Sequence, residues 1–174
     1  MKSTELKKTL EQFDKKELIR LIIESAKLNK DNMEWLEIEL QKPDELLELL
    51  KYYKMKISKA LDSNDFTSAI KAISDFKKAS PDREKLIDLM IYYVEQGTEI
   101  TLDCGDMYED FYTKLENVYI DAIKLLNEWG DTKLIEKFRP RMETLVDKTE
   151  DVGWGYHDVL WDWYDELGIS GKEE

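Results

Sequence analysis

Along this chain apolar residues return every three or four positions almost from end to end, and no segment of useful length alternates apolar with polar. That return is the period of an α-helix, whereas a strand with one buried face needs a period of two. The pattern therefore predicts an all-α fold. Punctuation agrees with it. Only 7 Gly and 3 Pro occur in 174 residues, fewer than average usage, and 37% of residues are charged, as expected for long helices joined by short connections.

The stop signals divide the pattern into about nine helices. The first covers 4–12. Asp14 with Glu17 reads as a capping box before a helix that buries Leu18, Leu21, Ile22, Ser25 and Leu28. Asp31 with Glu34 repeats the box before a third helix carrying Trp35, Ile38 and Leu40. Pro43 suits the first position of a fourth, with Leu46, Leu50, Tyr53, Ile57 and Ala60 inward, and Asp65 starts a fifth. Ser80-Pro81 reads as a capping hydroxyl followed by an N1 proline. The sixth stripe runs Leu86, Leu89, Met90, Tyr93, Val94 and meets Gly97 one turn on. A glycine there costs about 1 kcal/mol against Ala, so it implies a close helix–helix approach or a local break. Asp106 with Glu109 reads as the next cap, Gly130 closes that helix, and the last helix follows the Gly153-Trp154-Gly155 turn over 156–167. Short connections make consecutive helices antiparallel. The pairs 14–41, 43–79, 81–129 and 131–167 suggest stacked hairpins, solenoid-like or collapsed into an irregular bundle. The whole of 1–174 reads as a single helical domain.

Charge narrows the partners. There are 39 Asp+Glu against 26 Lys+Arg, a net charge of −13. A nucleic-acid binder needs clustered Lys/Arg against phosphate, and peripheral attachment to anionic lipid needs a basic face, so neither is expected. The acidity is lopsided. Residues 1–87 hold 18 Lys+Arg and 17 Asp+Glu, a net +1, and residues 88–174 hold 8 and 22, a net −14. The lysine-rich first half leaves room for a weak basic patch; the second half does not. One Cys and one His exclude a disulfide framework and multi-His or multi-Cys metal sites. Residues 1–13 are polar without the apolar run of a secretory signal, and no stretch reaches the roughly 20 apolar residues of a membrane helix. A soluble cytoplasmic protein is the expectation.

Several residue runs are distinctive. Lys71-Ala-Ile-Ser-Asp-Phe-Lys-Lys78 leads into Asp88-Leu-Met-Ile-Tyr-Tyr-Val-Glu95, then come Gly97, Gly105-Asp106, Glu109-Asp-Phe-Tyr112 and Gly153-Trp-Gly-Tyr156. With Glu5-Leu-Lys-Lys8 and Glu17-Leu-Ile19, these resemble a family of uncharacterised bacterial proteins known only as a domain of unknown function. The resemblance spans most of the chain and is most specific between about 70 and 160. It implies an all-helical bacterial protein and carries no activity, substrate or catalytic residue with it.

Three constellations remain. Asp103-Cys104-Gly105-Asp106 with Glu109 and Asp110 is dense enough in carboxylates for a hard cation. Its spacing is not an EF-hand loop, and a capping box explains it more simply, with Cys104 a buried structural thiol. Arg139-Pro140-Arg141 places two of the chain's four Arg around a proline inside a helical stripe. Such a proline should kink or restart the helix. The two guanidiniums are candidates for binding a carboxylate or phosphate, or else bridge acids on neighbouring helices. In the last helix Tyr156, Val159, Leu160, Trp163 and Leu167 form the inward face and Asp158, Asp162, Asp165 and Glu166 the opposite one. His157, Trp161 and Tyr164 lie on the flank between, near Trp154. Flanking aromatics of this kind resemble interface anchors.

No phosphate loop, nucleophile elbow or His ligand set is present, so no catalytic residue, cofactor or metal ligand is assigned. The leading expectation is a non-catalytic helical scaffold for protein–protein interaction, with a partner that is basic, since the acidic half would steer such a surface. A homodimer through the C-terminal aromatics is a further expectation. The alternative is a small-anion or metabolite binder, or an enzyme, whose pocket gathers Arg139, Arg141, Asp106 and the Trp154 turn.

Overall fold

The computed structural model describes residues 3–29, 43–80 and 82–169, together with Asn32, Met33, Leu36 and Leu40. The protein is all-α. Among the described residues there are eight helices and no strand: α1 (Ser3–Leu10), α2 (Lys15–Lys27), α3 (Pro43–Asp62), α4 (Phe66–Ala79), α5 (Arg83–Cys104), α6 (Glu109–Trp129), α7 (Thr132–Asp147) and α8 (Tyr156–Asp165). The helix expected after Asp31, with its cap and Trp35 and Ile38, lies largely outside the described residues.

The chain packs as two compact units, Met1–Pro43 and Asp44–Glu174, where the sequence reads as one domain. In the first, the Asp14–Glu17 capping box forms as expected, with Asp14 accepting from the Lys16 and Glu17 backbones and Glu17 accepting from that of Asp14. The stripe of α2 is far less covered than expected. Leu18 and Leu21 are half-buried, Ile22, Ser25 and Leu28 are exposed, and Ala26 alone is buried.

The second unit holds one continuous apolar core drawn from all six of its helices. Contacts fix the helix directions. Gly97 meets Leu115, Thr101 meets Tyr112 and Arg83 covers Trp129, so α5 and α6 are antiparallel. His157 reaches Val146 and Arg139 reaches Leu167, so α7 and α8 are too. Along α5 and α7 the pairs Glu84–Lys137, Asp88–Arg141 and Glu99–Lys148 advance together, so these two run parallel. Tyr112–Tyr156 and Asn127–Glu166 show the same for α6 and α8. On the other side Lys54–Asp88 and Ser58–Tyr92 set α3 parallel to α5, and Phe66 packs edge-on against Phe111 of α6. The hairpins α3/α4, α5/α6 and α7/α8 therefore lie side by side, odd helices in one layer and even helices in the other.

This places α5 in the middle, which is why Ile87 and Ile91 are buried as well as the stripe read from sequence. Gly97 does not break α5; it makes the close approach. A Cβ there would stand 2.3 Å from Leu115 Cδ2. Two expected caps are corrected. Helix α5 is capped by Asp82, whose carboxylate accepts from the Lys85 backbone, while Ser80 ends α4; Pro81 lies outside the described residues. Helix α6 starts after Tyr108 with no side-chain cap, because Asp106 is engaged elsewhere. Pro140 also leaves α7 continuous from Thr132 to Asp147. The carbonyl it deprives is that of Glu136, and both residues are exposed, so water can take the place of the lost donor.

Candidate functional site

Helix α8 ends the even layer, so one of its flanks faces outward. Tyr156 and Leu160 are fully buried in the core. One position around the helix, His157, Trp161 and Tyr164 form a continuous row, with ring centroids 6.5 and 6.4 Å apart. Trp161 keeps 51% of its surface exposed and Trp154, in the turn before the helix, keeps 60%. His157 is tied down through Nδ1, which lies 3.2 Å from the Val146 carbonyl and 3.2 Å from Thr149 Oγ1. A donor at Nδ1 satisfies the carbonyl and leaves Nε2 as an acceptor.

The turn that presents Trp154 is held from a distance. Asp106 accepts from the Gly153 backbone at 3.2 Å and from the Tyr112 hydroxyl at 3.4 Å. A Cβ on Gly153 would sit 2.7 Å from Asp106 Oδ2, so a larger residue there would make the Asp106 side chain shift. Trp154 itself has φ of 64° and Gly155 of 70°. A bulky residue in the left-handed region is strained and persists only where its surroundings impose it. The Asp106 bond holds the residue just before Trp154, and the Trp154 ring is exposed.

The anion pair is not assembled. Arg141 points into the odd layer and spends its fork on protein acids: Nε and Nη2 reach the two Glu95 oxygens at 2.5 and 2.6 Å, and Nη1 reaches Asp88. Asp88 also takes Lys54 Nζ at 2.8 Å. Burial alone would raise the Asp88 carboxyl; Lys54 and Arg141 outweigh it and hold it below the usual carboxylate range. Arg139 faces the even layer, donating to the Leu167 carbonyl at 2.8 Å and lying over the Tyr164 ring. Arg141 bridges acids of a neighbouring helix, as the alternative reading expects, whereas Arg139 meets a backbone carbonyl and a ring in place of an acid. Asp106 and the Trp154 turn do come together, at the other end of α8 from Arg139. The groove beside Arg141 contains Glu95, Glu99 and Lys148, and its charges are paired with one another, Lys148 with Glu99 at 2.5 Å.

The carboxylates near Cys104 diverge as well: Asp106 turns to Gly153 and Asp110 pairs with Lys114. Among the described residues no group of three or more His, Cys, Asp or Glu is placed to hold a metal ion. Cys104 is exposed rather than buried, because it is the last residue of α5.

Between the layers lies a set of buried tyrosines, of which the sequence reading places only Tyr93 and Tyr156 on inward faces and leaves out Tyr112 and Tyr119. Tyr112 shares a hydrogen bond with Thr101 at 2.6 Å and accepts from the Met107 backbone at 3.0 Å. Tyr156 shares one with Thr98 at 2.9 Å. Tyr93 and Tyr119, on α5 and α6, have buried hydroxyls with no hydrogen-bond partner among the described residues, and burial pushes both phenols well above their ordinary range. Deleting a bonded buried hydroxyl strands its partners, whereas deleting an unbonded one strands nothing. Tyr112→Phe is therefore expected to lower stability by about 1–3 kcal/mol and Tyr119→Phe to leave it unchanged or slightly raised. Urea denaturation midpoints check this, and equal losses in the two variants would contradict it.

No family model, curated protein or solved structure matches the chain.

Proposed function

We propose that this protein is a non-catalytic helical scaffold that binds another protein through the outer flank of α8. The observation that carries the reading is the row of rings along one flank of α8, in which Trp161 and, in the turn before it, Trp154 stand more than half exposed beside His157 and Tyr164; Tyr52 and Tyr108 are exposed elsewhere on the same unit, but not in such a row. Large rings left in water on a rigid helix are what interface anchors look like before the partner arrives. The strained turn at Trp154 supports the same reading, since the chain spends backbone energy on an outward ring. The setting of this reading is the bacterial cytoplasm that the family resemblance and the sequence imply. A small-anion site at Arg139 and Arg141 gains no support, because the two guanidiniums point to different layers and already meet protein acceptors.

The test is a pull-down from native cytoplasm with the intact chain and with Trp154→Ala/Trp161→Ala. Both rings are exposed, so the double variant should keep its fold, with stability within roughly 1 kcal/mol of the parent. The expected result is a protein retained by the parent and lost by the variant. Identical sets from the two baits, or none from either, would overturn the reading.

A further inference from the structure

Resting on that reading, we infer that the segment α8 receives is a basic helix presenting Lys or Arg at i, i+4 and i+7. One residue beyond each ring of the aromatic row stands a carboxylate: Asp158 after His157, Asp162 after Trp161, Asp165 after Tyr164. All three are exposed, and none forms a salt bridge among the described residues. Four acids on α5 are different, for Glu84, Asp88, Glu95 and Glu99 each meet a Lys or Arg. From Glu150 to Glu166 the chain has six acidic residues and no Lys or Arg, so its own local sequence supplies no cation to this face.

Two of the rings carry the same deficit, while Tyr164 already lies under Arg139. Trp129 lies under Arg83 at 4.9 Å and Trp163 under Lys124 at 5.0 Å. Trp154 and Trp161 have no cation over them among the described residues. A Lys or Arg from a partner would meet a ring face and a carboxylate together, and both attract it. The spacing selects the form of the partner. Along α8 the carboxylate row advances by about 6 Å and then about 4.5 Å, at 1.5 Å per residue. A second helix reproduces those steps with cations at i, i+4 and i+7. An extended segment repeats each face about every 6.6 Å and falls out of step at the second. A second copy of this chain is disfavoured, because α8 against α8 sets two rows of Asp face to face.

The test uses the full chain and three synthetic Ala-rich helical peptides: one with Lys at i, i+4 and i+7, one with the same lysines spread around the helix, and one with Glu in their place. Binding is followed by tryptophan fluorescence in 20 mM and 150 mM salt. The in-register Lys peptide should bind at least about 10-fold more tightly than the spread one, weaken as salt rises, and weaken at least about 10-fold for Asp158→Asn/Asp162→Asn/Asp165→Asn. The Glu peptide should not bind. Equal binding of the two Lys peptides, no saturable binding, or a triple variant that binds like the parent would overturn the inference. Repeating the pull-down with the triple variant separates it from the reading beneath it. A partner lost with the tryptophans but kept by the triple variant leaves the scaffold standing and removes the basic helix.

Discussion

Gly97→Val should cost about 3 kcal/mol, which for a unit of this size lowers the melting temperature by roughly 10 °C. The cause is local and severe. A Cβ at Gly97 would meet Leu115 Cδ2 at 2.3 Å and Cδ1 at 2.8 Å, and Leu115 has nowhere to go, being fully buried in the α5/α6 contact. Valine adds two methyl groups to that overlap and is stiff at χ1 in a helix. Alanine brings a compensation: it recovers about 1 kcal/mol of helix propensity against an overpacking cost of about 1–3 kcal/mol, so Gly97→Ala should lose only about 1 kcal/mol. Trimming the other side checks the mechanism. In Gly97→Ala/Leu115→Ala the new methyl occupies part of the space the leucine leaves, and the pair should lose less than the sum of its single losses by about 1 kcal/mol. Thermal and urea unfolding measure all of these. A Gly97→Val variant as stable as the parent would mean that α5 and α6 are not in contact at this point.

Arg141→Leu is the second large effect, about 2–3 kcal/mol at neutral pH. Its side chain and those of Asp88 and Glu95 are 31%, 20% and 26% exposed, so the cluster is neither a free surface pair nor a dry one. Breaking a fully buried pair costs about 3–5 kcal/mol and an exposed one about 0–1. A value between the two ranges applies, because the cluster is partly exposed and Lys54 stays with Asp88. The variant also changes the acid limb of the stability curve. Asp88 is held below its ordinary range in the folded protein, since Lys54 and Arg141 outweigh its burial. A carboxyl depressed on folding stabilises above its unfolded pKa, about 3.9, and that contribution is lost as pH falls through its folded value. Glu84, lowered chiefly by Lys137, acts in the same direction. The parent should therefore lose stability between about pH 5 and pH 3, and Arg141→Leu should show a shallower loss, having less to lose. Urea midpoints at pH 7, 5 and 3.5 compare the two, and parallel curves would show that the guanidinium does not hold Asp88.

The helices were largely legible because their signals are local. Asp14 finds Glu17 and Asp65 finds Ser68 within three residues, and Gly130 takes its left-handed turn where the apolar stripe stops. The misreadings share a cause. Asp106 sits three residues before Glu109 as a cap should, yet it serves Gly153, 47 residues away. Arg139 and Arg141 are neighbours in sequence, but helical geometry turns them about 200° apart, toward α8 and α5. The aromatic row on α8 was visible from its spacing alone. That Trp161 would stay half in water while Trp163 acquired Lys124 was not, because it depends on which flank α6 covers.

What the sequence by itself determined is an all-α chain with its stops and most of its inward faces, since periodicity, caps and glycines act over one or two turns. The tertiary structure alone decided which charges are spent and which rings are left over. Arg141 is neutralised by acids 46 and 53 residues away, while Asp158, Asp162 and Asp165 have no such partner among the described residues. Side-chain electrostatics follow proximity in space, and proximity is set by how hairpins stack, a relation between segments that no local pattern encodes.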